Sequence, residues 1–86
     1  MALLNQITSR IDQLYDFFVS QMEYCSIVEI KLEDSGSEKI GTSYRLLKDV
    51  KFKLEKKFKC ELTKKKFFIG DIQVCVGATL IVKKEN

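Results

Sequence analysis

The sequence predicts an α+β fold, with an N-terminal amphipathic helix and a second, basic helix packed on one face of a small antiparallel sheet, all within a single domain over residues 1–86. Three observations lead there. Apolar residues recur every three or four positions at the start, they alternate with polar ones from residue 25 to 33, and branched residues broken by glycine fill the end of the chain.

The opening helix is expected over residues 2–23. Leu4, Ile7, Ile11, Leu14 and Phe18, with Tyr15, Val19 and Met22 beside them, form one wide apolar stripe, and Asn5, Ser9, Asp12, Gln13 and Asp16 fill the other side. The stripe is wider than a coiled-coil seam, so the helix is expected to pack on a sheet. Leu3 and Phe17 fall at its margin and are expected to touch a protein partner.

Residues 25–33 switch to period two. Val28, Ile30 and Leu32 share one face, with Glu29, Lys31 and Glu33 on the other, the pattern of a half-buried strand. Residues 34–38 carry turn chemistry, and a short return strand is expected over 40–43.

Residues 44–66 satisfy two periods at once. As a helix, Leu47, Val50, Leu54, Phe58 and Leu62 cluster, and Asp49–Lys53, Glu55–Lys59 and Glu61–Lys65 fall at i,i+4. As strands, Val50, Phe52 and Leu54, then Phe58, Cys60 and Leu62, alternate with charges around a Lys56-Lys57 turn, which would leave one helix on a β-meander. With no Gly, Pro or Asn between 42 and 69, and with Ser43 placed to cap, the expected element is a helix over about 44–60. Strands are expected at 67–69, 72–76 and 79–82, separated by Gly70-Asp71 and Gly77-Ala78, with a type I′ or bulged turn at Asp71.

Charge is distributed unevenly behind the net +3: residues 1–44 hold three bases and seven acids, whereas residues 45–66 hold ten bases and three acids. Such a block is either a solvated face or a footprint for an acidic partner. The contact set it suggests is Lys48, Lys51, Phe52, Lys56, Lys59, Lys64, Lys65 and Lys66, cations interleaved with an aromatic, as RNA or DNA binding requires. Nine of the ten bases are lysine, which lacks the bidentate fork of arginine.

No catalytic, cofactor or metal site is expected. Histidine is absent, and Cys25, Cys60 and Cys75 are three in number with no CxxC spacing, so there is neither a usual general base nor a disulfide framework. Ser37 with Lys39, the pair Asp12 and Asp16, and Glu33-Asp34 read as solvated groups. The glycines at 36 and 41 match no phosphate-loop motif. With no export signal or apolar span apparent, the expected location is intracellular, cytoplasmic or nuclear, without a membrane. The expected function is a non-enzymatic protein–protein interaction module, a small subunit or adaptor of a larger complex. Nucleic-acid binding is the alternative, and a homodimer through a sheet edge is compatible with either.

Overall fold

The computed structural model describes the backbone of residues 2–34 and 41–85, and the side chains of 10–34 and 41–85. Five elements follow in order: α1 (Ala2–Gln21), β1 (Ile27–Glu33), α2 (Thr42–Leu54), β2 (Phe58–Ile69) and β3 (Ile72–Lys84). The strands form one antiparallel sheet in the order β1-β3-β2, so the last strand in sequence is the central one. The fold is α+β with both helices on one face.

The sheet's two faces follow from its register. Val28, Val82 and Cys60 form one cross-strand row and Ile30, Leu80 and Leu62 the next, all on the helix side. The rows between them, Glu29-Ile81-Glu61 and Lys31-Thr79-Thr63, face away. Helix α1 contributes Phe18 to the core, the turn after it Met22, and α2 contributes Leu47, Val50 and Leu54, meeting Ala78, Leu80 and Val82 of the central strand. Full burial of side chains of this size is worth about 1.5–3 kcal/mol each, which is where a domain of this length finds its stability.

The entry to α2 is set at long range. Its N-cap residue, Gly41, has φ of 90° and offers no side chain. The Asp34 carboxylate at the end of β1 takes the cap's place, accepting from the N–H of Gly41 (2.7 Å) and of Ser43 (2.8 Å). Desolvation works to raise its pKa, but those two backbone donors and the Ser43 side chain outweigh it and hold the carboxyl below its ordinary value. Of the expected return strand over 40–43, Thr42 and Ser43 are instead helical, because Asp34 satisfies donors at the helix start; residue 40, like residues 35–38 of the expected turn, lies outside the described residues. Ser43 is therefore buried inside the helix rather than capping it.

The ambiguous block divides between its two periods. It is helical through Leu54, turns at residues 55–57 and is a strand from Phe58, so the expected helix end near residue 60 is corrected by six residues. Leu54 fits the helical stripe, while Phe58, Cys60 and Leu62 fit the sheet face, and the chain reverses where the helix has reached the sheet's end.

The C-terminal strands are also fewer and longer than expected, with 72–76 and 79–82 fused into β3 through Gly77 and Ala78. Gly77 is no breaker. A Cβ there would lie 2.5 Å from the Leu32 carbonyl oxygen and 3.2 Å from Glu33 Cα, so β1 approaches closely only because the side chain is missing. At the β2–β3 turn, Gly70 has φ of 61° while Asp71 does not have a positive φ, which is the II′ pattern with glycine first, not I′.

Candidate interaction surface

Thirteen residues of strand span roughly 43 Å, whereas thirteen of helix span roughly 20 Å. Strand β3 and helix α2 are both of that length, so the strands must outrun their cover. They do so at the β2–β3 turn. Strand β1 pairs as far as Gly77, and beyond it residues 66–75 continue as a two-stranded arm. A register shift marks the arm's base: Lys65 pairs with Gly77 but Lys66 with Cys75, leaving Val76 as the extra residue on β3.

One face of the arm is apolar and the other carries a single exposed aromatic. Phe67 lies opposite Val74 and Ile69 opposite Ile72, which places all four on one face, while Phe68 opposite Gln73 occupies the other. Phe67, Phe68, Ile69 and Ile72 are each between 58 and 66 % exposed. Sequence reasoning placed these residues in strands of the sheet without setting them beyond the helices. The signal it missed is the break in alternation at Phe67-Phe68-Ile69, three apolar residues in a row where a half-covered strand would place a polar one.

The predicted basic contact residues do not share one surface. Lys48 and Phe52 are exposed on α2 and Lys56 in the turn that follows it, with the Lys56 ammonium 5.8 Å from the Phe52 ring centre. Lys51, on the same helix, lies 4.0 Å from Glu55. Lys59 and Lys65 project from the opposite side of the sheet, where Lys65 pairs with Glu33 across Gly77. Lys64 and Lys66 point to the helix side at the arm's base, and Lys64 sits 4.6 Å from the Tyr44 ring centre. A further lysine, Lys53, bonds Asp12 at 2.9 Å and covers the Tyr15 ring at 4.7 Å, tying α2 to α1.

A second apolar feature lies beside α1. Leu14 and Phe17 of the helix and Ile30 and Leu32 of β1 line a shallow groove of about 360 Å³, with Arg10 and Gln13 also bordering it. Phe17, one of the two residues expected at a protein-contact margin, is 44 % exposed. The side chain of Leu3 lies outside the described residues.

The groups considered for chemistry are occupied structurally or exposed. Asp34 caps α2, Glu33 pairs with Lys65, and Asp12 with Lys53, while Ser37 and Lys39 lie outside the described residues. All three cysteines are half-buried free thiols rather than fully buried ones. Burial first, and the Glu55 carboxylate second, push the Cys60 thiol up, which favours its protonated, unreactive form. Among the described residues no helix is long and apolar enough to cross a membrane, and no cluster of three metal-binding side chains occurs. No family model matches the chain, and no curated protein or solved structure shows significant similarity to it.

Proposed function

We propose that the chain is a non-enzymatic protein-interaction module, a small subunit or adaptor of a larger assembly, and that it docks through the β2–β3 arm. The observation that carries this reading is the exposure of Phe67, Phe68, Ile69 and Ile72 beyond the reach of either helix. The contiguous apolar face of Phe67, Ile69, Ile72 and Val74, with the charged residues Lys65 and Asp71 at its two ends, has the anatomy of a binding patch: an apolar centre with a polar rim. Asp71 at the arm's leading point disfavours a lipid target, because insertion would carry a carboxylate in first. Separation of the lysines onto two faces, with Lys51 and Lys65 each beside a glutamate, disfavours a continuous phosphate-tracking surface.

The test is capture from an extract of the native cell, with and without nuclease. The baits are the intact chain, a Phe67→Ser/Ile72→Ser variant, and a chain with residues 66–75 replaced by Asn-Gly. The expected result is the same protein captured by the intact chain in both conditions and by neither variant. Capture unaffected by the arm variants would overturn the reading. Capture lost on nuclease treatment would do so in favour of nucleic acid, with Lys48, Phe52 and Lys56 then the residues to mutate.

A further inference from the structure

We propose that the free edge of β1 pairs antiparallel with the same edge of a second copy of this chain, giving a two-fold dimer with one continuous six-stranded sheet. The surface is distinct from the arm, and the inference does not depend on what the arm binds.

The direction of the free hydrogen-bonding groups comes from the ladder. The Asp34 N–H donates to the Val76 carbonyl (2.8 Å) and the Lys84 N–H to the Ser26 carbonyl (3.1 Å), so residues 26 and 34 turn their backbone groups toward β3. Antiparallel pairing alternates, and 28, 30 and 32 must do the same. Ile27, Glu29, Lys31 and Glu33 therefore aim their N–H and C=O groups out of the sheet, where β1 is the edge strand. Among the described residues they form an unpaired template seven residues long with no proline or glycine to interrupt it.

The strand is self-complementary in one register. With the two-fold axis at Ile30 the whole of Ile27–Glu33 overlaps its counterpart. On the outer face Glu29 then stands opposite the partner's Lys31, and Lys31 opposite the partner's Glu29. On the helix side Ile30 meets the partner's Ile30 and Val28 meets the partner's Leu32. The outward-aimed residues 27, 29, 31 and 33 become the hydrogen-bonded pairs, as the ladder requires. Moving the axis to Glu29 or to Lys31 sets like charges directly opposite each other, which is destabilising. Slipping the pairing by a single residue turns the apolar set to the wrong face.

The groove supplies the second half of the contact. Val28, Ile30 and Leu32 lie on the helix-covered face yet are only half-buried, because no described strand flanks them on the edge side. Beside them Leu14 and the exposed Phe17 form the groove with Ile30 and Leu32. A two-fold axis perpendicular to the sheet at Ile30 keeps both helix layers on one side and brings α1 against the partner's α1 across these residues. The interface is isologous, each copy giving the same patch. A different protein would have to reproduce by chance the charge order and apolar spacing that this strand already provides for itself.

Sedimentation velocity and light scattering on the full chain test the proposal, with circular dichroism confirming that each variant is folded. The intact chain is expected at twice its 10.0 kDa mass, dissociating on dilution. Glu29→Lys and Lys31→Glu each place like charges face to face and should weaken self-association about ten-fold or more. Mixing the two single variants restores opposite charges and should give a heterodimer, and the double exchange Glu29→Lys/Lys31→Glu should dimerise again. The chain with residues 66–75 replaced should dimerise as the intact chain does. A chain that stays monomeric at high concentration overturns the proposal. So does a dimer indifferent to the charge exchanges or abolished by loss of the arm, since its contact would lie elsewhere.

Discussion

The Asp34 carboxylate accepts from two first-turn N–H groups of α2, and through them the end of β1 is fastened to the start of the helix. Its pKa is lowered in the folded protein, so the stabilisation it brings is fully present above the unfolded carboxyl value and is lost as pH falls through the folded one. Asp34→Ala should cost about 1–2 kcal/mol at neutral pH by urea unfolding, and the gap to the parent should narrow as both are taken into strong acid. At the opposite extreme of size, Gly77→Ala adds one methyl group against a backbone oxygen that has nowhere to go. A loss of about 1–3 kcal/mol is expected, again read by urea unfolding, with β1 the strand whose amides lose exchange protection. Neither residue announced its role in the sequence. Asp34 looked like a turn residue because its donors lie seven and nine positions away, beyond any local capping pattern. Gly77 looked like punctuation because the reason for it, Leu32, belongs to another strand.

Among the elements, α1 and β1 were the most legible, since each has one period and one buried face. The passage from α2 to β2 was not, because Leu54, Phe58 and Leu62 are spaced to serve either period. What decides between them is the position of β3, which is a tertiary fact. The arm was illegible for the opposite reason: its composition is that of a covered strand, and only the shortness of α2 leaves it bare. Phe17 is half exposed beside the groove, whereas the basic residues were grouped by sequence and are divided by the sheet. If the arm is as separate from the core as its exposure implies, Phe68→Ser should leave stability unchanged to within about 0.5 kcal/mol in a thermal melt.

For the whole molecule, stability rests on one small core in which Phe18, Leu47, Val50, Leu54, Leu80 and Val82 retain no exposed surface. Leu80→Ala removes the residue at the centre of the middle strand and should cost about 2–5 kcal/mol, a large part of what a domain of this size has to lose. The outer face contributes far less. Its pairs Lys31–Glu29, Lys65–Glu33 and Lys83–Glu61 are solvent-exposed, and such pairs are worth about 0–1 kcal/mol. Salt raised to about 0.5 M should therefore move the midpoint of thermal unfolding by no more than a few degrees.

The division between body and arm has an evolutionary corollary. Substitutions within the interior are judged by whether the chain survives, while those between residues 66 and 75 are judged by what the chain sticks to, because little of the interior reaches them. A library varied over the arm alone would thus remain folded almost throughout, and could be sorted for new specificities without first being rescued from collapse.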